Sequence, residues 1–168
     1  MPYFINHCEN VASYAVSMQG TVFDPALFMA GLFHDLGKMR IPYSILETRG
    51  VLTAEEYEVV KKHSHYGSSM LDKRSYSDKI IRAVLHHHER WDGNGYPGGL
   101  KGENIPLYSR ILAVADSFDA MTADRPYRRH MSQDAALTEI AVNAGTQFDP
   151  NVVEMFLLQM KQKGCRCS

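Results

Sequence analysis

Histidine occurs eight times, at positions 7, 34, 63, 65, 86, 87, 88 and 130, and most of these positions fall near the ends of predicted helices. His34 is followed directly by Asp35 at the end of an apolar run. Such a pair offers one borderline nitrogen ligand and one hard carboxylate, whose two oxygens can bridge two cations. Taken alone, a His-Asp pair before a glycine reads more readily as a polar helix end. Further candidates stand on other elements: His63, the run His87-His88-Glu89, and Asp116. Asp116 closes the segment AVAD, an apolar setting in which an unpaired carboxylate costs several kcal/mol to bury. It needs a cationic partner, either a metal ion or an arginine such as Arg110 or Arg125. The triple-histidine run reads equally well as a solvated helix end.

A second kind of signal is the segment RWDGNGYPGGLKGENIP, where Gly95, Tyr96 and Pro97 sit among four further glycines. Such a loop can close over a planar base; its plainer reading is an exposed connection with a turn at Tyr96-Pro97-Gly98. Lys38, three residues after Asp35, and Arg125 with Arg128 in DRPYRR are cations able to receive phosphate oxygens. Asp119 follows Asp116 by three residues, on the same helical face, and can orient a ligand or pair with Arg125. His65, His86 and His130 read as surface or supporting residues.

The elements that must position these groups are helical. Apolar spacing predicts a helix from Asn6 to about Gln19. Asp24-Pro25 is an N-cap followed by proline at the first helical position, and the helix it opens runs until Gly37, placing His34 and Asp35 in its last turn. Thr53 with Glu56 forms a capping box for a helix reaching Leu71, and Ser77 caps one running into the histidines at 86 to 88. Pro106, Ser132 and Asp149-Pro150 open three more. The expected fold class is all-α: one bundle of about seven helices with a long glycine-rich loop, spanning residues 1–161, with a frayed tail at 162–168.

With 168 residues, 45% hydrophobic and 22% charged, the chain matches one soluble globular domain. Its formal net charge of −1 excludes the basic footprint of a binder of DNA or RNA duplexes. No apolar stretch approaches the roughly 20 residues of a membrane span and the N-terminus lacks a signal-peptide pattern, so the expected address is the cytoplasm. Cys8 and the C-terminal CRC do not match a CxxC motif and read as reduced thiols.

Taken together, HDLGK at 34–38, HHERWDGNGYPGGLKGENIP at 87–106 and RILAVADSFDAMTADRPYR at 110–128 resemble the HD-GYP domain, a branch of the HD metal-dependent phosphohydrolases. The resemblance extends to His7 in HCENVASYA, His63 in KKHSHYG and TQFDP at 146–150. It implies an all-helical fold and hydrolysis of the bacterial second messenger cyclic di-GMP to pGpG or onward to GMP. It further implies that His7, His34, Asp35 and Asp116 hold one divalent metal and that Asp35 bridges to a second, held by His63, His87 and His88. Iron or manganese is the expected metal, with nickel, cobalt and zinc also compatible. Lys38 and Arg125 match phosphate-contacting positions, and Gly95-Tyr96-Pro97 is the tripeptide in the family's name. Members with a third metal carry a glutamate where this chain has Tyr3, which implies two metals and inefficient conversion to GMP.

The chemistry is that of a two-metal site. Cations roughly 3.5 to 4 Å apart can share a water, lower its pKa and leave hydroxide poised for in-line attack on phosphorus. Fixed positive charge then stabilises the phosphoryl oxygens and leaving alkoxide. Competing readings are a hydrolase of another nucleotide, such as 3',3'-cGAMP, pGpG or a phosphomonoester, and a non-catalytic module that binds a cyclic dinucleotide or a protein. A di-iron oxygenase leaves the glycine loop and the phosphate-facing cations unexplained. Partners implied are a sensory or receiver domain in a longer parent chain, a second copy of the chain, or a GGDEF domain.

Overall fold

The computed structural model describes residues 2–20, 22–48, 50–123 and 131–164, the side chains at 2–4 and 163–164 excepted. Nine α-helices occur among them: α1 (Pro2–Ser17), α2 (Pro25–Phe33), α3 (Tyr43–Leu46), α4 (Ala54–Lys61), α5 (His63–Met70), α6 (Asp78–His86), α7 (Leu107–Thr122), α8 (Gln133–Val142) and α9 (Pro150–Gly164). Short 3-10 segments cover Leu36–Arg40 and Gly102–Asn104, and no strand forms among the described residues.

Local chemistry sets most boundaries. Asp24 Oδ1 accepts from the amides of Ala26 (2.9 Å) and Leu27 (3.1 Å), capping α2 ahead of Pro25. The Thr53–Glu56 capping box closes in both directions. Ser132 caps α8 through the Ala135 amide, and Asp149 accepts from the Asn151 amide at the start of α9.

The count exceeds the expected seven for two reasons. The helix expected over 54–71 breaks at Lys62 into α4 and α5, and a four-residue helix, α3, forms inside the stretch after Pro42 that reads as irregular. The helix opened by Pro25 also ends at Phe33, not Gly37, so Asp35 begins a 3-10 turn and does not lie in an α-helical one. At the other end α9 carries through Gly164, so residues 162–164, expected to fray, are helical.

Helix α7 forms the spine. Ile111, Leu112, Val114, Ala115 and Phe118 are fully buried, and the helix packs against α1, α6, α8 and α9. Phe118 meets Tyr14 and Phe156 edge-on, at ring separations of 5.1 and 5.0 Å. Two glycines permit close approaches that shape the centre of the molecule. A Cβ on Gly31 would lie 2.5 Å from Ala12 Cα, so α1 and α2 touch backbone to backbone. A Cβ on Gly37 would lie 1.9 Å from the His63 carbonyl oxygen and 2.4 Å from the Gly67 nitrogen. The turn after Asp35 therefore lies directly on the start of α5.

Because both clashing groups are backbone, Gly37→Ala forces the turn off α5. It is expected to cost about 1–3 kcal/mol, the range typical of overpacking, and to shift His63 relative to Asp35. Chemical denaturation reads the first effect and the His63 ring resonances in NMR spectra read the second; unchanged values for both would contradict this packing.

Candidate metal centre

Three histidines share one local device. His34 Nδ1 lies 2.7 Å from the Gly31 carbonyl, His63 Nδ1 2.7 Å from that of Val60, and His87 Nδ1 2.7 Å from that of Val84. A carbonyl only accepts, so each Nδ1 carries a proton, which leaves each Nε2 as the ring's free ligand atom. The acceptors are carbonyls in the last turns of α2, α4 and α6. Each ring thus bonds a carbonyl in the last turn of a helix while turning its other nitrogen inward. The Nε2 atoms of His63 and His87 face each other at 3.3 Å, and His34 Nε2 is buried with no hydrogen-bond partner among the described residues.

Asp35, 2% exposed, lies between them. Its Oδ1 is 3.5 Å from His63 Nε2, while its Oδ2 is 3.5 Å from His34 Nε2 and 3.7 Å from His7 Nε2. Two overlapping groups result, Asp35 with His63, His87 and His88, and Asp35 with His7 and His34. Asp116 borders the second, its Oδ1 3.2 Å from His7 Nε2 and 4.0 Å from His34 Nε2. Asp119 holds the far side of His7, with Oδ2 2.6 Å from Nδ1, and accepts from Asn10 Nδ2 through its other oxygen at 2.8 Å. Lys38 Nζ is 2.5 Å from Asp35 Oδ2 and keeps its side chain a third exposed.

Burial works against every charge here, and the neighbours decide the outcome. Desolvation opposes ionisation of Asp35, but His34, Lys38, His63 and His87 together hold its carboxyl well below the usual range. Asp116 is likewise lowered, against burial, by its hydrogen bond to His7. Burial depresses His63 and His87, and it pushes His88 down to about 4. His7 moves the other way: although burial lowers it, the hydrogen bonds to Asp116 and Asp119 raise it to about 9. Neutral imidazoles at His63, His87 and His88 beside ionised Asp35 and Asp116 are donors for a cation, and His7 and Lys38 add positive charge next to the acids. An unpartnered buried nitrogen and two facing lone pairs fit a metal site and fit poorly with a purely structural cluster. The C-termini of α2, α4 and α6 also direct partial negative charge at this centre.

The glycine loop is tied to the same place. Glu89, 4% exposed, accepts from the amides of Gly98 (2.7 Å) and Leu100 (3.0 Å) and lies 3.2 Å from His86 Nδ1. A Cβ on Gly95 would fall 2.3 Å from the Arg90 nitrogen, so only glycine fits there. The Tyr96 amide donates to the His88 carbonyl at 3.2 Å, and its ring lies over that of His88 at 4.9 Å and 31°. Trp91 and Asp92 donate to the carbonyls of Gln147 and Thr146, pinning the loop between α8 and α9.

The structure therefore gathers His7, His34, Asp35, His63, His87, His88 and Asp116, with Lys38 and Tyr96 at the margin. Of the arginines weighed as partners for Asp116, Arg110 instead pairs with Asp149 at 2.5 Å. Arg125, Arg128 and His130 lie outside the described residues, as does the side chain of Tyr3. His65 is exposed, while His86 supports Glu89. Sequence reasoning missed the anchoring role of Glu89, which its place in a polar run conceals, and Asn10, whose only signal is its position one turn after His7.

A helical scaffold with this histidine–aspartate core defines the metal-dependent HD class, and the comparisons agree. The HD domain family model matches residues 15–152, and the chain belongs to this family, in its HD-GYP branch. It is 43% identical over 143 residues to a cyclic di-GMP phosphodiesterase of Thermotoga maritima, covering 84% of this chain and 39% of that protein. It is 45% identical over 131 residues to the cyclic di-GMP phosphodiesterase response regulator RpfG of Xanthomonas campestris pv. campestris, covering 77% of this chain and 35% of that protein. Among solved structures, a cyclic GMP-AMP specific phosphodiesterase of V. cholerae superposes with a TM-score of 0.67 at 22% identity, over 92% of this chain and 44% of that one. The chain thus spans little more than a third of the length of the two curated relatives. No helix among the described residues is long and apolar enough to cross a membrane.

Two outcomes test this geometry. Asp119→Asn removes the carboxylate that orients His7, and a partner of that kind typically contributes 10–100-fold to metal affinity; a chelator competition titration is expected to show a loss of about that size. Glu89→Gln leaves one amide of the glycine loop without its carboxylate acceptor, so faster hydrogen exchange is expected at Gly98 and Leu100 with α7 protection unchanged.

Proposed function

We propose that residues 1–161 form a metal-dependent phosphodiesterase domain that hydrolyses cyclic di-GMP to linear pGpG. The division of Asp35 carries this reading: its two oxygens face two separate sets of inward-turned nitrogens. His7, His34, Asp35 and Asp116 would hold one divalent ion, and Asp35, His63, His87 and His88 a second, with iron or manganese the expected identities. When bound, the ions supply Lewis acidity to the phosphoryl oxygens and acidify a water molecule.

The chain's own residues do the rest. Asp119 fixes the ring of His7, and the carbonyls of Gly31, Val60 and Val84 fix three more, so the donor set needs little rearrangement. Lys38 leans on Asp35 from the solvent side, where its ammonium can receive a phosphate oxygen and offset charge that develops on it. Arg125 and Arg128 are assigned the same task by the resemblance. Gly95, Tyr96 and Pro97 provide a face for the substrate next to His88. The relatives' names support a cyclic dinucleotide as substrate and, with it, a cytoplasmic setting.

Metal analysis of anaerobically purified protein, beside chromatography of products from cyclic di-GMP, 3',3'-cGAMP and pGpG, tests the reading. Bound divalent metal and pGpG from cyclic di-GMP are expected. Asp35→Ala is expected to lose metal and turnover together, by at least about 100-fold, with its helical circular dichroism retained. Turnover surviving in metal-depleted Asp35→Ala protein would refute the mechanism.

A further inference from the structure

Beside the glycine loop is a cleft that neither the family match nor the metal cluster accounts for. It measures about 230 Å3 and lies between the C-terminal half of α4 and the loop, lined by Glu58, Lys61, Lys62, His65, Tyr96 and Pro97. The Tyr57 ring, half exposed on α4, stands edge-on to Tyr96 at 6.5 Å and 84°. Lys61 reaches over both rings, with Nζ 5.4 Å from the Tyr57 centroid and 5.8 Å from that of Tyr96. Glu58, one turn back on α4, pairs with the Lys61 ammonium and helps to hold it there.

Three properties of this cleft point in one direction. Tyr96 in the cleft and Tyr57 beside it, set at 84° with a cation over both, offer one face and one edge to a flat π-system, because a base of any identity stacks on an aromatic face. Lys61 and Lys62 against the single acid Glu58 leave the rim one cationic group in excess, suited to phosphate. The volume falls below the ~300–1,000 Å3 of a complete small-molecule pocket, so the cleft suits one part of a ligand whose remainder lies elsewhere. That remainder has an adjacent home: Tyr96 contacts Tyr57 on α4 and also overlies His88 of the metal cluster. A cyclic dinucleotide has two phosphodiesters and two bases closed in one macrocycle, so when one diester sits at the cluster the other nucleotide must land close by.

We propose that Tyr57, Lys61 and Tyr96 form a subsite for the second nucleotide of the substrate, its base stacked on one ring and against the edge of the other and its phosphate on Lys61 and Lys62. This rests on the phosphodiesterase reading. It assigns Tyr57 and Lys61 to recognition, and it explains why a large aromatic side chain stays half exposed on α4 beside a lysine whose side chain is only 26% exposed.

The test compares the full chain with its Tyr57→Ala and Lys61→Gln variants on two diesters: cyclic di-GMP, and bis(p-nitrophenyl) phosphate, which has neither base nor second phosphate. In both variants the preference for the dinucleotide, taken as the ratio of the two kcat/KM values, is expected to fall about tenfold through a higher KM, in line with the loss of one base–aromatic stack. Titration calorimetry of guanosine monophosphate into each protein gives a readout independent of turnover, and weaker binding is expected in the variants. An unchanged preference ratio overturns the proposal, and so does an equal loss on both substrates, which would place Tyr57 with the fold. If the wild-type chain cleaves neither diester, the phosphodiesterase reading fails by itself. Calorimetry then decides the subsite: binding weakened by Tyr57→Ala sustains it, while equal binding or none removes it.

Discussion

Three imidazoles at the centre of this molecule each use Nδ1 on a carbonyl three residues back, and almost everything else about the site depends on that exchange. The carbonyls of a helix's last turn have spare acceptor capacity, and His34, His63 and His87 each use one of them through a ring nitrogen. The bond uses Nδ1 as a donor and turns Nε2 inward as the remaining ligand atom. Three helices must therefore end at the same point in space, and where they end, their dipoles and the nitrogen lone pairs all favour positive charge. Asp35 and Asp116 add formal negative charge to the same volume. Such an arrangement draws in positive charge, and Lys38 and a protonated His7 supply part of it from the protein itself.

The scaffold answers by packing backbone on backbone where the site needs short distances. At Gly31 and Ala12, α1 crosses α2 closely enough to bring the rings of His7 and His34 to 5.2 Å. At Gly37, the turn after Asp35 rests on the first turn of α5, which sets Asp35 against His63. Helix α7 divides its faces between the two tasks. Its apolar residues fill the core, while Asp116 and Asp119, three residues apart, meet opposite nitrogens of the same His7 ring. One helix thereby supplies both a carboxylate inside the cluster and the one that aims a neighbouring ligand.

Much of this is legible in the amino-acid sequence, and the exceptions have physical causes. The caps at Asp24, Thr53 and Ser132 act through bonds within three residues, so the sequence alone sufficed for them. The residues of the cluster were legible as a set because their types share one chemistry and their motifs recur in order. The breaks at Phe33 and Lys62 are not, since no proline or glycine stands at either, and a contact between distant segments, the Gly37 approach to α5, lies beside both. The partner of Asp116 was left open between metal and arginine; the fold sends Arg110 to Asp149 and gives Asp116 a histidine. Glu89 was visible only as a charge beside two histidines, because its partners are backbone amides nine and eleven residues away and backbone leaves no trace in composition.

The order of residues 86–89 makes the cluster and the loop parts of one device. His87 and His88 turn toward Asp35 while His86 and Glu89 turn toward the loop, so consecutive residues at the end of α6 serve both the metal centre and the substrate face. Gly95 closes the circuit by lying against the backbone of His88, Glu89 and Arg90, too near for any side chain, which sets Tyr96 over the His88 ring. A displacement of the loop therefore has to move the end of α6, and with it two members of the cluster. Recognition of a nucleotide at Tyr96 and the position of His88 are linked through covalent neighbours and one stacked pair. A fold that builds its substrate face from the same turn as its donor set has little freedom to change one without disturbing the other.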